Sequence, residues 1–123
     1  MKDIKYLLIG GGMASFHAAK QIRKADPDGS VLIVGEEALP PYDRPPVSKE
    51  YLLGKKAGDE IVYESAEALA GQGIGLLLGT RIESLDLPAS IAVTSAGEEL
   101  RFEKALFATG GRPVRLSLPG GAA

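Results

Sequence analysis

Gly10, Gly12 and Ser15 stand at the spacing G-x-G-x-x-S, directly after the apolar run IKYLLI (residues 4–9) and at the start of the alanine-rich segment ASFHAAKQIRK (residues 14–24). Glycine loses more backbone freedom on folding than any other residue, so the triplet Gly10, Gly11 and Gly12 implies a close approach that side chains would block. In a dinucleotide-binding turn the first glycine makes the bend and the second lets main chain reach a pyrophosphate. A small third residue, here Ser15, allows tight helix–strand packing. Amides at the start of the following helix then face the phosphates, and the helix dipole favours their charge. Glu36 follows a second apolar run, SVLIVG (residues 30–35), roughly twenty residues beyond the turn, where a carboxylate can accept hydrogen bonds from both ribose hydroxyls. The competing reading is a purely structural strand-to-helix turn with solvated Glu36 and Glu37. NAD and FAD share the adenosine diphosphate half, so this turn does not choose between them.

The elements that must hold these residues are legible in outline. Residues 4–9 read as a buried parallel strand. Residues 14–24 read as a helix whose Phe16, Ala18, Ala19 and Ile22 face inward and whose last turn carries Arg23 and Lys24, as a helix C-terminus prefers. Residues 30–35 complete a βαβ unit. The following segment, EEALPPYDRPPVSKEYLLGKK, contains four prolines, which stiffen it and forbid a regular element before Val47. A short helix is expected from Pro46 or Ser48 to Gly54, another over 65–72 entered at Ser65, and a third buried strand at GIGLLLG (73–79). RIESLDL, SIAVTSAGEELRF and KALFATG read as short strands with a hairpin turn near SAGEE. The expected class is α/β, a three-layer Rossmann-like fold with a parallel sheet plus a small antiparallel β-meander.

Composition removes several functions. The 123 residues suit one domain, with 45% hydrophobic and 24% charged residues. A net charge of −2 without a block of one sign gives nucleic-acid binding no electrostatic support. There is no cysteine, which excludes disulfides, thiolate metal sites and a redox dithiol within this chain, and one histidine, His17, makes an internal metal site a poor expectation. The apolar N-terminal run is too short for a signal h-region or a membrane span, so the expectation is a cytoplasmic protein.

Three separated strings carry a resemblance. YDRPPVSKEYL (residues 42–52) resembles a loop of FAD-dependent reductases that feed ferredoxins and rubredoxins, and of apoptosis-inducing factor. LIGGGMASFHAA resembles the glycine turn of the apoptosis-inducing-factor branch, and ALFATGGRP is similar to the second flavin motif of the same superfamily, the pyridine-nucleotide-disulfide oxidoreductases. The resemblance implies that Gly10, Gly11, Gly12, Met13 and Ala14 wrap the FAD pyrophosphate and that Glu36, with Glu37 beside it, holds the adenosine ribose. It places Arg44 toward the phosphates or adenine and Lys49 near the reactive flavin ring, where a cation stabilises negative charge on reduced flavin. Thr109 and Gly110 would approach the flavin side, and Ile82 would contact adenine through its backbone. Members often carry an arginine two residues after the equivalent of Arg112, where it helps bind the pyrophosphate; here that position is Val114 and the arginine is Arg115, a one-residue shift that either preserves the contact or loses it.

Two functional readings follow. The first is the initial FAD-binding segment of a flavoprotein NAD(P)H oxidoreductase passing electrons to an iron–sulfur protein such as a ferredoxin or rubredoxin, to a quinone-like molecule, or to oxygen. In the family the FAD domain is built from two chain segments flanking an NADH domain, with a C-terminal interface domain after them. The chain stops about where the NADH domain would begin, so turnover would need another segment or chain. The second reading is a non-enzymatic nucleotide-binding or assembly module. A parallel sheet without its companion segment would expose apolar surface or an unpaired edge, so a complementary chain or a C-terminal region is an expected partner. His17, Tyr42, Asp43, Lys55 and Lys56 receive no chemical role, and Phe102 and Phe107 are read as core.

Overall fold

The computed structural model describes residues 1–43, 45–49, 51–55, 57–112 and 114–121. Its elements in chain order are β1 (Lys2–Ile9), α1 (Met13–Ala25), β2 (Val31–Val34), a 3-10 turn (Pro45–Ser48), α2 (Gly58–Ile61), α3 (Ala66–Gly71), β3 (Ile74–Leu77), β4 (Ile82–Asp86), β5 (Ile91–Thr94) and β6 (Glu99–Phe107). One sheet of six strands runs in the order β3-β2-β1-β6-β5-β4. β3, β2, β1 and β6 are mutually parallel, whereas β6, β5 and β4 form an antiparallel meander.

Side chains alternate across a strand, and here both faces are apolar. Leu8, Val31, Ile33 and Ile74 meet Phe16 and Ala19 of α1 and Leu69 of α3 on one face. Leu7, Ile9, Leu32 and Val34 meet Ala92, Leu100 and Phe102 of the meander on the other, with Ile82 and Leu85 packed alongside. The three layers are therefore helices, parallel strands, and the sheet's own antiparallel half, as the α/β expectation requires.

α1 ends under Arg23, which donates to the carbonyls of Asp26 (3.0 Å), Pro27 (2.9 Å) and Gly73 (2.7 Å). Lys20 reaches across to Glu64 (2.9 Å) and Gln72 (2.5 Å), joining α1 to the α3 region. At the amino ends of β1 and β2, Asp26 accepts from Lys5 Nζ (2.6 Å), Tyr6 Oη (2.8 Å) and the Gly29 amide (2.9 Å). Those donors hold the Asp26 carboxyl far below the usual carboxylate range, the Lys5 hydrogen bond most of all.

Some expectations need correction. The helix expected up to Gly54 is a single 3-10 turn at Pro45–Ser48 followed by turns, closed by Gly54 at φ +74°. Two consecutive prolines supply no amide donors, so an α-helical ladder lacks its first bonds there. The separate strand expected at KALFATG is the second half of β6, which keeps its register with β1 from Lys2↔Leu100 through Ile9↔Phe107. GIGLLLG forms a strand only over Ile74–Leu77, and only Ile74 is buried, because β3 is an edge strand. Phe102 is core, but Phe107 is 58% exposed. β5 pairs with β6 only over Glu99–Arg101, so the meander no longer covers the sheet where Phe107 emerges.

Candidate functional site

The chain leaves β1, crosses to β2 and β3 on one side, and returns to place β6 on the other side of β1. Such a reversal opens a crevice at the carboxyl ends of the strands. Backbone bonds carry the ladder past the strand ends: Gly10 N to Val34 O at 2.8 Å, Gly35 N to Leu77 O at 3.0 Å and Ala108 N to Ile9 O at 2.8 Å. The turns that follow β1, β2 and β6 are thereby held side by side around a cleft of about 620 Å3.

The floor of the cleft is main chain. Gly10 has φ +121°, a conformation that side-chain-bearing residues rarely adopt, and a Cβ there would overlap the carbonyl oxygen of Ala108. Gly11 lies against Gly35, where a Cβ would come 3.2 Å from the neighbouring Cα. The close approach implied by the triplet is thus met first inside the protein, by the backbone of two neighbouring turns. Gly12 is the N-cap of α1, no side chain caps the helix, and no acidic residue stands in its first turn. The first amide to find a helical acceptor is that of Phe16, bonded to Gly12 O at 3.2 Å, which leaves the preceding amides and the positive end of the dipole for an anion. Ser15 is fully buried and its Oγ has no hydrogen-bond partner among the described residues.

The walls carry the polar groups. Glu36 and Glu37 are exposed at the end of β2. Glu36 faces Arg81, Oε1 to Nε 3.5 Å, and Glu37 accepts from the Tyr42 hydroxyl at 2.8 Å. Tyr42 sits in the proline-rich segment, which is tied to the body by Asp43 N to Ile61 O (2.7 Å), by Tyr63 N to Pro41 O (3.1 Å) and by Tyr63 stacking on Phe16 at 4.5 Å between ring centres. Burial raises the Tyr63 hydroxyl's pKa. Opposite them Thr109, Gly110, Gly111 and Arg112 form the turn after β6; Gly110 has φ +72°, and among the described residues no atom beyond the chain neighbours lies within 4 Å of where its Cβ or that of Gly111 would be.

Of the residues singled out in the sequence, the cleft brings together Gly10, Gly11, Gly12, Glu36, Glu37, Ile82, Thr109 and Gly110. Met13 and Ala14 open α1 and are exposed without lining it. Lys49 is exposed and outside the lining, its carbonyl accepting from Leu53 N at 2.9 Å. Arg115 is likewise exposed and outside; the arginine of that segment that lines the cleft is Arg112. Arg44 lies outside the described residues. Thr80, Arg81 and Arg112 were not singled out for the site, although Arg81 stands next to Ile82 and Arg112 next to the second glycine pair. Arg81's place beside Glu36 had no local signal, because the pairing joins the end of β2 to the start of β4.

A family model described as pyridine nucleotide-disulphide oxidoreductase matches residues 4–123. The 5,5'-dehydrodivanillate O-demethylase ferredoxin reductase subunit of Sphingobium sp. is 39% identical over 123 residues, which are 100% of this chain and 30% of that protein. Putidaredoxin reductase of Pseudomonas putida is 32% identical over 116 residues, 94% of this chain and 28% of that one. Among solved structures, a chain of the covalent putidaredoxin reductase–putidaredoxin complex superposes with a TM-score of 0.87 at 30% identity, over 95% of this chain and 28% of its own. The NADH:rubredoxin oxidoreductase of Clostridium acetobutylicum shares the fold at a TM-score of 0.83 and 22% identity, over 96% and 30% of the two chains. The chain thus spans 28–30% of the length of these relatives. Among the described residues, no helix is long and apolar enough to cross a membrane.

Proposed function

Because the chain belongs to the pyridine nucleotide-disulphide oxidoreductase family, we propose that its cleft holds the adenosine diphosphate half of FAD and that the chain is the first FAD-binding segment of an NAD(P)H oxidoreductase. Members of this family bind FAD and use NAD(P)H. One observation carries the reading: bare main chain and an uncapped helix start form the floor of a crevice whose rim bears Glu36. That donor set fits a pyrophosphate joined to a ribose. The Gly11 and Gly12 segment and the amides of Met13 and Ala14 offer donors to phosphate, and Glu36 offers acceptors to the ribose hydroxyls. Arg112 adds a cation to the wall that continues into Thr109 and Gly110.

Bound FAD would supply hydride acceptance and onward electron transfer. In this reading Lys49 places positive charge near the flavin ring, and the tether through Tyr42 and Tyr63 keeps its segment beside the cleft. Turnover with NAD(P)H also requires a nicotinamide site, supplied by a further segment or a complementary chain. The exposed Leu106, Phe107, Val114, Leu116 and Leu118 support such a neighbour. An iron–sulfur protein, as in the putidaredoxin complex of the relative, is the acceptor we favour over oxygen.

The test is optical and thermal. The purified chain incubated with FAD should show flavin absorbance after gel filtration and a higher unfolding temperature. Absence of both removes the proposal. A yellow protein that NADH does not bleach under anaerobic conditions leaves the chain as a binding unit without turnover of its own.

A further inference from the structure

At the outer end of the cleft the Arg81 guanidinium faces the Glu36 carboxylate, Nε to Oε1 3.5 Å, with side-chain exposures of 59% and 60%. Screening by solvent leaves so open a pair with little to contribute to folding. Its placement is nevertheless tightly specified. Gly79 N donates to Glu37 O at 2.9 Å and Thr80 N to Gly35 O at 2.8 Å, lacing the approach to Arg81 onto the segment that carries Glu36. Arg81 N donates to Ser95 Oγ at 3.2 Å and Ser95 N to Arg81 O at 2.8 Å, so the turn after β5 fixes it from the other side. Both charged side chains line the cleft.

We propose that Arg81 is a positioning residue for sugar recognition, holding one oxygen of Glu36 so that the remaining lone pairs face the cleft and accept both hydroxyls of a nucleotide ribose. The inference rests on the nucleotide reading of the cleft. An ionised carboxylate has about four lone-pair sites, and Arg81 stands as an ion pair 3.5 Å from one of its oxygens, which leaves enough for a 2′- and a 3′-hydroxyl. An unrestrained glutamate on the surface loses rotamer freedom when it grips a ligand, and a partner already beside it removes part of that cost. A planar guanidinium fixes direction as well as charge, whereas an ammonium supplies charge alone. Arg81 therefore acts on the ligand through Glu36, and its effect depends on the hydroxyls being present.

The experiment is calorimetric titration of this chain with ADP and with 2′-deoxy-ADP. The unsubstituted chain should prefer ADP. Arg81→Ala should weaken ADP about tenfold, a typical size for two coupled neighbours, and 2′-deoxy-ADP, which keeps one of the two hydroxyls, by a clearly smaller factor. Arg81→Lys should recover part of the loss, the unfolding midpoint of Arg81→Ala should stay where it was, and Glu36→Ala/Arg81→Ala should bind ADP no more weakly than Glu36→Ala. Unchanged ADP affinity in Arg81→Ala overturns the inference. So do equal losses on both ligands or losses that multiply in the double variant, since Arg81 would then act without Glu36. If the unsubstituted chain binds neither ligand, the nucleotide reading of the cleft fails and the inference falls with it. A failure of Arg81 alone appears only against intact binding by the parent.

Discussion

The turns after β1 and β6 leave adjacent parallel strands at the same end of the sheet, and both are rich in glycine, yet they use it differently. At Gly10 the absence of a side chain is required by the protein itself, because the Ala108 carbonyl occupies the space a Cβ would need, and at Gly11 a Cβ would be crowded to 3.2 Å from the Gly35 Cα. At Gly110 and Gly111 that space is open among the described residues. One turn is therefore a packing device that also exposes a helix start. In the other, Gly110 answers to its backbone conformation, φ +72°, and Gly111 meets no described atom within 4 Å that would exclude a Cβ. Identical residue types at equivalent sheet positions are thus under different steric constraints.

The largest effect that would test this contrast is at Gly10. Gly10→Ala combines a disfavoured φ with overlap against a carbonyl oxygen, and should lower stability by about 3 kcal/mol or more. A urea midpoint equal to that of the parent would remove the distinction between the two turns. Glu36→Ala should instead leave the midpoint within about 0.5 kcal/mol, since the residue is exposed, and weaken FAD by about 1 to 3 kcal/mol through lost charge-assisted hydrogen bonds. Calorimetry that finds equal affinity takes Glu36 out of the site.

The turn after β6 sharpens the contrast further. Gly110→Ala is expected to cost about 1 to 2 kcal/mol of stability from its positive φ alone, while Gly111→Ala costs the free protein about 0.5 kcal/mol or less. If FAD lies against this turn, Gly111→Ala lowers its affinity without moving the midpoint; an unchanged affinity places the ligand elsewhere. Asp26→Asn should have the smallest effect on FAD binding, none at pH 7, because it sits at the amino ends of the strands. It should lower stability at neutral pH instead. Asp26 has its pKa depressed by folding, so its contribution is complete above the unfolded value of about 3.9 and fades as pH falls below it. The gap between Asp26→Asn and the parent should therefore close in acid. A gap that stays constant or widens as pH falls from 7 into the acid range would contradict the hydrogen-bonded carboxylate.

Local signals were strong where one residue type dictates one backbone event. Glycines at 10–12 marked the end of β1 and the start of α1 within a residue or two, and Ser65 caps α3 through the Ala68 amide at 3.1 Å, as its position before an alanine-rich run suggested. They were weak where neighbours in space decide. RFEKALF intersperses charged residues among apolar ones, which hides the fact that it continues β6 unbroken; parallel pairing with β1 along its whole length makes it one strand. Phe107 read as core from type alone and is exposed because the meander stops short of it.

The site divides along the same line. The turn-forming residues of the sequence determined where β1 ends and α1 begins and that Glu36 follows β2, since backbone sterics and strand-to-helix geometry are written in a few adjacent residues. Only the tertiary structure decided that Arg81 rather than a sequence neighbour stands beside Glu36, and that Arg112 rather than Arg115 lines the wall. Those choices depend on strand register and on which turns the sheet order brings together, and contacts between residues distant along the chain leave no periodic trace in it.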